Sequence, residues 1–502
     1  MSDLSESRPS RTLWQRAAMW LGPLAAAIIV FTVPEFTAEP VTGTTAAVVL
    51  TNSGIAVLAL CVWMAVWWIS ECVPLEVTGL LPMVCLPLLG AVTMKQAAAP
   101  YADEVIALFL GGMLLGRAIE RWEVHRWVGG HLAFVCGSSP RMHVLGLLAS
   151  TAFISMWVSN LAAAMMMLPI ARSMVPTRRG TTGRDDSTIA YTLAVAFGAS
   201  IGGVGTLVGT PPTAQFAAFM SDRMDRPVSF LSWMLFGFPL VFLGVLGAWV
   251  VLTRVACRVP KRNDAAIDAP TSVGSSGLSS SGRRAVLVFA IAIAGWVAVP
   301  LLKRAGLSEQ LPWLDRVSDA GIALGAALLM FLCPAGRGER RPILIWQEAS
   351  QIPWGILVMF GGGMSLAATI QSSGLDRVIA FYGHGLGALP TPLLIMTVAV
   401  AATLLSEVMS NTALTALLLP IVSAIAVRIG LEPAVLMIPA VLGASLAFMM
   451  PAGTPPNAVA FATGTITMRD MIRAGFWLNV LFCTLTSVLV IAGHRWGLLP
   501  GM

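Results

Sequence analysis

Residues 154–170 read ISMWVSNLAAAMMMLPI, and residues 406–421 read SEVMSNTALTALLLPI. In both stretches a polar Ser-Asn pair interrupts a long apolar run. Polar or irregular chain at membrane depth is tolerated only where it is buried in protein or lines a cavity. The two stretches therefore predict re-entrant hairpins over 143–175 and 392–426, each carrying its Ser-Asn pair at the tip.

The composition of the whole chain supports a membrane protein. Of its 502 residues, 57% are hydrophobic and only 11% are charged, and the mean hydropathy is +0.81. A typical soluble domain carries about 25% charged residues, so this chain has too few polar groups to cover a water-exposed surface. The composition excludes a soluble enzyme and a nucleic-acid binder. None of the seven cysteines forms a C-x-x-C pair, so neither a disulfide scaffold nor a zinc site is indicated.

Two further apolar runs, 188–220 and 434–463, each contain Gly-Thr-Pro-Pro in the middle. Adjacent prolines remove backbone donors and break a helix, so these runs predict broken helices. The Ser-Asn pairs of the two hairpins are 251 residues apart, and the Gly-Thr-Pro-Pro motifs are 244 residues apart. Paired interrupted segments in corresponding positions indicate a transporter built from two repeats, with its binding site at the interruptions.

The repeats divide the chain into four parts. Residues 1–45 hold an N-terminal segment and a first span, and 46–257 form the first repeat. The Ser- and Gly-rich stretch 258–285 reads as a linker on the cytoplasmic side, and 286–502 form the second repeat. The predicted fold is an all-α, multi-pass membrane protein with about eleven transmembrane helices plus the two hairpins.

The basic residues predict the orientation of these spans. With eleven crossings and a cytoplasmic N-terminus, 22 of the 31 Lys and Arg residues fall in cytoplasmic loops. Cytoplasmic loops of membrane proteins carry an excess of these residues, so this assignment is favoured. It opens the first hairpin to the cytoplasm and the second to the outside, which makes the two repeats inverted. The predicted location is the inner (plasma) membrane.

The interruptions also indicate what the site binds. A helix that is broken inside the membrane exposes N–H groups at one end, which favour an anion. Its other end exposes carbonyl oxygens which, together with Ser and Asn side chains, suit a hard cation such as sodium. Two repeats would give two cation sites that flank one anion site. The competing interpretation is that Ser and Asn only link helices and that the prolines only kink them.

Four segments carry a family resemblance: WWISECVPLEVTGLLP at 67–82, the two hairpin stretches quoted above, and AGTPPNAVAFA at 452–462. Together they resemble the divalent anion:sodium symporter family. The resemblance implies an eleven-span homodimer in which one half of each protomer dimerises while the hairpins and broken helices move as an elevator. It also implies sodium as the coupling ion and a dicarboxylate, citrate or sulfate as the substrate.

Carried over residue by residue, the resemblance implies three sets of ligands. The first sodium site would use Ser155, Ser159, Asn160 and the Gly209 carbonyl. The second would use Ser406, the Met409 carbonyl, Asn411 and the Gly453 carbonyl. The substrate would meet Asn160, Ser410, Asn411, Thr412 and the backbone near Thr210 and Pro455.

Two residues leave questions open. The family pattern has a threonine after the first Ser-Asn pair, whereas this chain has Leu161. The polarity and size of the substrate end that faces the first hairpin are therefore in question. Glu407 lies in the apolar second hairpin, and an intramembrane carboxylate is a functional candidate by default. It is either a proton or cation relay, or a structural group bonded to backbone.

The predicted function is sodium-coupled symport of a small dianion, such as a C4-dicarboxylate (succinate, malate or fumarate), citrate or sulfate. An anion exchanger or a proton symporter that uses Glu407 keeps the fold and changes only the coupling. An ion channel is a different class, and paired hairpins with paired breaks favour an occluding site instead. A membrane-embedded hydrolase would need a nucleophile beside a base, and the mid-span serines lack a His or Lys partner. The expected partners are the lipid bilayer and a second copy of the chain, and no nucleic acid.

The predicted topology is open to cysteine labelling. In a cysteine-free background, a membrane-impermeant maleimide should not label Ser275→Cys in the linker of intact cells, but should label it after permeabilisation. Ser308→Cys, in a loop assigned to the outside, is the control and should react in intact cells. Strong labelling of Ser275→Cys from outside would contradict the orientation.

Overall fold

The protein was analysed as a computed structural model that describes residues 12–38, 48–124, 127–128, 139–174, 186–260, 277–336 and 339–501. The described chain is mostly helical, as the composition predicts. Most of the predicted linker, residues 261–276, lies outside the described residues, as do residues 1–11 and 39–47 of the first segments.

The helices of the first half run as follows: α1 Leu13–Thr32, α2 Asn52–Ser70, α3 Leu75–Thr78, α4 Leu81–Leu88, α5 Met94–Ala98, α6 Glu104–Arg121, α7 Pro140–Ser155, α8 Asn160–Ser173, α9 Asp186–Gly203, α10 Pro211–Met224 and α11 Phe230–Val250. A π-helical turn, Val251–Ala256, continues α11.

The helices of the second half run as follows: α12 Ser280–Arg304, α13 Asp319–Leu332, α14 Trp346–Ala349, α15 Trp354–Ser372, α16 Leu375–Gly383, α17 Thr391–Ser406, α18 Asn411–Arg428, α19 Pro433–Ser445, α20 Pro455–Ala462 and α21 Met468–Trp496. Two short antiparallel pairs of strands, which the all-α prediction did not contain, lie between helices. They are β1 Phe36–Ala38 with β2 Val48–Leu50, and β3 Pro334–Gly336 with β4 Glu339–Pro342.

Seven helices in the described residues are long and apolar enough to cross a membrane unaided: α1, α2, α11 with its π-turn, α12, α15, α18 and α21. The number of crossings stays a prediction, since several expected spans are divided into shorter apolar helices. The second arm of the predicted hairpin, α18, has 18 residues and is about 27 Å long at 1.5 Å per residue. Length alone would let it cross, so re-entry of the hairpins also stays a prediction.

Both predicted hairpins contain two helices that meet at the Ser-Asn pair. The first consists of α7 and α8, joined by residues 156–159, and the second of α17 and α18, joined by residues 407–410. The serine stands at the N-cap of the second helix in each case. Serine is favoured at this position because its oxygen can accept a hydrogen bond from the first turn. Ser159 does so, accepting from the N–H of Ala162.

Both predicted broken helices are interrupted at Gly-Thr-Pro-Pro. Helix α9 ends at Gly203 and α10 begins at Pro211, while α19 ends at Ser445 and α20 begins at Pro455. Proline is favoured at the first helical position, where its missing N–H would have no intrahelical partner. The threonine before each Pro-Pro pair is extended, with φ near −143° and −142°. The two interruptions thus have nearly the same local conformation.

Packing around the first helix of each broken pair positions the four interruptions. Helix α9 packs against both arms of the first hairpin, α7 and α8, and α19 packs in the same way against α17 and α18. All but two of the 18 residues of α9 are buried, and all 13 of α19. Gly202 allows the close approach of α9 to α7, because a Cβ there would lie 2.1 Å from the Ala152 carbonyl oxygen. Each hairpin tip is thereby held beside the break of its own half.

Candidate substrate and cation site

The first Ser-Asn tip is bonded to the end of α9. The Ser155 hydroxyl lies 2.8 Å from the side-chain amide of Asn160 and donates to the Ala199 carbonyl at 2.7 Å. Asn160 fits closely because Gly203 has no side chain: a Cβ there would lie 2.2 Å from the asparagine amide. The sequence-predicted residues Ser155, Asn160 and Gly209 therefore come together in the folded chain.

One end of the Asn160 side-chain amide faces three oxygen atoms. One of its terminal atoms lies 3.2 Å from each of the Ala199 and Gly209 carbonyl oxygens and 2.8 Å from Ser155 Oγ. With the amide nitrogen in that position, it donates hydrogen bonds to these acceptors. With the amide oxygen there, the site presents converging oxygens, which a hard cation stabilises. Turning one amide thus converts a hydrogen-bonded tip into a set of cation ligands.

The second tip repeats these contacts. The Ser406 hydroxyl lies 2.8 Å from Asn411 Oδ1 and donates to the Ala444 carbonyl at 2.6 Å. Ser406 is fully buried, and Asn411 is half-buried. Met409, whose carbonyl the resemblance assigns to the second sodium site, is also buried. Two places in the chain with equivalent sequence therefore hold the same arrangement of a serine, an asparagine and a helix-end carbonyl. Gly453, the counterpart of Gly209, lies next to the Glu407 side chain.

Contacts between the halves bring the four interruptions together. Helix α8 of the first hairpin packs against α20 after the second break, and α10 after the first break packs against α18 of the second hairpin. Ser200, near the end of α9, donates to the Thr454 hydroxyl at 3.4 Å. The N-terminal ends of α8, α10, α18 and α20 thus lie in one region. The first N–H groups of α8 and α18 favour an anion there, whereas α10 and α20 each begin with two prolines, which have no N–H.

The predicted site residues at the tips and breaks differ in exposure. Ser159, Leu161 and Pro455 are exposed, whereas Thr210 is buried. Ser410 is half-buried beside Asn411, in keeping with a surface that a ligand can reach. The glycines at both breaks, Gly209 and Gly453, are buried, as are Ser155 and Ser406. The predicted cation ligands are mostly buried, and part of the predicted substrate surface is open.

Residue 161 and its counterpart in the second half are not equivalent in the structure. Leu161 is 38% exposed, whereas Thr412 is 8% exposed. Both follow the asparagine at the beginning of their helix, α8 and α18 respectively. The first tip therefore presents an accessible apolar side chain where the second carries a largely buried hydroxyl group.

Glu407 forms the most extensive polar network of the second half. Its carboxylate accepts hydrogen bonds from the backbone N–H groups of Phe448, Met449 and Met450 at 2.8–3.0 Å, and from the Asn479 side chain at 2.7 Å. These three amides follow α19, where no helical hydrogen bond satisfies them. Buried backbone donors need such partners. Both carboxylate oxygens are engaged, so the structure favours the structural interpretation of Glu407 over the relay.

At the first break, a neutral hydroxyl group forms the hydrogen bonds to the backbone. The position equivalent to Glu407 is Met156, whose carbonyl accepts from the Thr206 hydroxyl. Thr206 in turn accepts from the Gly209 N–H at 3.1 Å. One break is thus organised by a threonine and the other by a carboxylate, although the tips beside them match.

Asn457 lies beside the second break, and no role was predicted for it from the sequence. It is fully buried in α20, and its Nδ2 donates to the carbonyls of Ala447 and Met450 at 3.2 and 3.1 Å. Its Oδ1 has no hydrogen-bond partner among the described residues. Buried polar atoms are normally paired, so this oxygen is a further acceptor beside the second break. The sequence feature that could have identified Asn457 is its position directly after the Pro-Pro pair.

Comparisons with known proteins define the class of this chain. The sequence profile of the family described as Citrate transporter matches residues 65–430 and 320–500. The chain is 32% identical over 464 residues to the sodium-dependent dicarboxylate transporter SdcS of Staphylococcus saprophyticus, which covers 90% of this chain and 87% of the relative. It is 34% identical over 452 residues to the protein of the same name from Staphylococcus aureus, covering 87% and 85%.

The protein is therefore a transporter and not an enzyme. It belongs to the divalent anion:sodium symporter family, with its citrate transporter profile, as the paired motifs predicted.

Two solved transporter structures share the fold. The Alcanivorax borkumensis YdaH transporter aligns with a TM-score of 0.58 at 16% identity, over 97% of this chain and all of that one. The Neisseria gonorrhoeae MtrF efflux pump aligns with a TM-score of 0.57 at 12% identity, over 97% and 95%. At these identities the likeness concerns the fold alone.

The network of Glu407 can be tested by Glu407→Gln. The new amide would turn an N–H₂ group toward backbone donors, and a buried donor without an acceptor costs about 1–3 kcal/mol. We expect a lower unfolding temperature in detergent and faster hydrogen–deuterium exchange in residues 448–450. Glu309→Gln makes the same change in an exposed loop and should change neither. Unaltered exchange in Glu407→Gln would contradict the role of the carboxylate.

Proposed function

We propose that this protein is a secondary active transporter that couples sodium movement to the uptake of a small dianion. Among the substrates considered, C4-dicarboxylates are the best supported, because the two staphylococcal relatives are named sodium-dependent dicarboxylate transporters. The observation that carries the proposal is the pair of matching oxygen clusters at the two tips, placed beside four helix N-terminal ends.

The oxygen atoms at the tips bind the sodium ions, and the helix N–H groups bind the substrate. The amide oxygen of Asn160, the Gly209 carbonyl and the serine oxygens of the first tip hold one sodium ion. Their counterparts around Asn411 and the Gly453 carbonyl hold the second. The substrate carboxylates accept hydrogen bonds from the N-terminal N–H groups of the helices that begin at the tips. Bound sodium ions also lower the repulsion between those carboxylates and the oxygen-rich tips.

Sodium binding and substrate binding are coupled because both ligands contact the same two asparagine side chains. Each asparagine side chain has an oxygen for the cation and an N–H₂ group that can face the anion. When the ion turns the amide oxygen toward itself, the N–H₂ group is left to meet a carboxylate. The dianion therefore binds best when both ions are present. Binding of one ligand then raises the affinity for the other, and by linkage the effect is reciprocal.

The segments that carry the site also form the part of the protein that moves during transport. The hairpins and broken helices, which carry the site, move as one body against the remaining spans in an elevator motion. The remaining spans mediate a homodimer in the plasma membrane, with the N-terminus in the cytoplasm. A proton relay at Glu407 is not part of this proposal, since four donors already engage that carboxylate.

Uptake by purified protein in proteoliposomes tests the proposed function. Labelled succinate should accumulate when an inward sodium gradient is imposed, and excess unlabelled malate, fumarate, citrate and sulfate rank the specificity by competition. A potassium gradient of the same size is the control and should give only leak. Equal uptake with both gradients, or uptake that needs a counter-anion inside, would replace sodium symport with another coupling.

The shared asparagines give the sharpest mutational prediction. Asn160→Ala and Asn411→Ala should each reduce transport and raise the sodium concentration needed for half-maximal uptake, about tenfold or more, because one side chain serves both ligands. Asn52→Ala, at the exposed start of α2, is the matched control and should behave as wild type. If both tip variants transport normally with unchanged sodium dependence, the tips are packing features only.

The apolar side chain of Leu161 predicts that the site accepts a broad range of substrate ends at the first tip. A site that hydrogen-bonds a polar group rejects ligands lacking it strongly, whereas an apolar wall discriminates by only about 1–3 kcal/mol per methylene. Leu161→Thr should therefore raise affinity for short, polar dianions relative to longer diacids. Competition with a diacid length series on both proteins measures this. An unchanged ranking at normal expression would remove residue 161 from the site.

A further inference from the structure

A basic cavity lies at the opposite end of α7 from the first tip, where α7 begins and α11 ends. Its volume is 530 Å³, and its lining consists of Arg141, Thr253, Arg254, Arg258, Val259 and Pro260. Arg141 is the second residue of α7, and Arg254 lies in the π-helical turn that continues α11. Half of the lining residues are therefore arginines, which come from two separate segments of the chain.

Hydrogen bonds fix the walls of this cavity. Arg141 Nε donates to the Val259 carbonyl at 2.8 Å, and Trp249 Nε1 donates to the Arg141 carbonyl at 2.8 Å. Both the side chain and the backbone carbonyl of Arg141 therefore bond to the segment that contains the end of α11. The terminal nitrogens of the Arg141 guanidinium group take no part in these bonds. The π-turn changes the helical register just before the cavity, a feature that is frequent at functional sites.

Among the described residues, more guanidinium groups than carboxylate groups lie at this cavity. In the described part of the chain, no carboxylate forms a salt bridge with Arg141, Arg254 or Arg258. The nearest recorded acidic group is Asp186, which accepts the backbone N–H of Arg258 at 2.9 Å. Arg473 adds a further cation, since its guanidinium group donates to the Val255 carbonyl on the π-turn. Such a cluster of guanidinium groups matches the geometry and charge of a phosphate group.

The outer surface of α11 connects this cavity to lipid. Exposed apolar residues recur every three or four positions along one face of the helix, and these are Leu235, Phe238, Phe242, Leu246 and Val250. The next step of four residues is Arg254, which is also exposed. From Leu235 to Arg254 the helix rises about 28 Å at 1.5 Å per residue. This length is close to the hydrocarbon thickness of roughly 30 Å, so a bilayer whose apolar layer covers this face would have the Arg254 guanidinium group at headgroup level.

We propose that this cavity binds the phosphate of an anionic glycerophospholipid whose acyl chains lie along the apolar face of α11. Basic pockets between transmembrane helices are suited to anionic headgroups. The apolar face distinguishes a lipid from a free phosphate ion, because a soluble anion would need only the arginines. This cavity is separate from the substrate and cation site, since it lies where α7 begins and the first tip follows the end of that helix.

Lipid-dependent stability tests the proposal. The full-length protein is purified in detergent with phosphatidylcholine, and phosphatidylglycerol or more phosphatidylcholine is then added. Phosphatidylglycerol should raise the unfolding temperature and remain bound in native mass spectrometry, and phosphatidylcholine should do neither. Arg254→Gln with Arg258→Gln should lower the retained phosphatidylglycerol at least about threefold. The charge-conserving pair Arg254→Lys with Arg258→Lys should retain most of it.

Arg304→Gln is the matched control, since Arg304 is an exposed arginine at the end of another apolar helix, α12. It should bind phosphatidylglycerol as wild type does. Equal effects of the two lipids, or full retention by the Gln double variant, would overturn the proposal. Stabilisation by inorganic phosphate alone, to the same extent as by phosphatidylglycerol, would make the cavity a site for free anions and would also overturn it.

Discussion

The structure depends on one constraint: polar atoms in an apolar chain must find partners when the helices that would satisfy them are broken. Each hairpin places a serine and an asparagine against the carbonyl end of a neighbouring helix. Ser155 bonds to the Ala199 carbonyl and Ser406 to that of Ala444. The packing of α9 and α19 against their hairpin arms, and the glycines that permit it, keep these oxygens in place. The same atoms that satisfy the breaks form the proposed ligand sites.

The two halves satisfy this constraint in different ways. The first break is organised by the Thr206 hydroxyl and the second by the Glu407 carboxylate. The buried side chain of Glu407 lies beside the second tip, whereas the equivalent position beside the first tip is Met156. The exposure of Leu161 against the burial of Thr412 makes the substrate end of the first tip different as well.

Much of this arrangement could be predicted from the sequence, because breaks leave strong local signals. Pro-Pro pairs and Ser-Asn interruptions locate the helix ends to within a few residues. The offsets between the two copies of each motif, 251 and 244 residues, show which interruptions correspond. The family follows from the same motifs. The role of Glu407 did not follow, since its partners are backbone N–H groups about 40 residues away and a side chain 72 residues away. The arginine cavity was missed for a similar reason, because it joins Arg141 and Val259, which are 118 residues apart. The two strand pairs are local, and they lie in short segments between the apolar helices.

The central claim is that two equivalent oxygen clusters bind the coupling ions. A cryo-electron-microscopy comparison of the protein in sodium with succinate and in choline without substrate tests it most directly. In sodium, we expect density at both tips, roughly 2.3–2.6 Å from the asparagine amide oxygen and the glycine carbonyl, a range typical of hard cations with oxygen ligands. In choline, both densities should disappear and the Asn160 amide nitrogen should face the Gly209 carbonyl. Hydrogen-bonded tips without ion density in sodium would contradict the account.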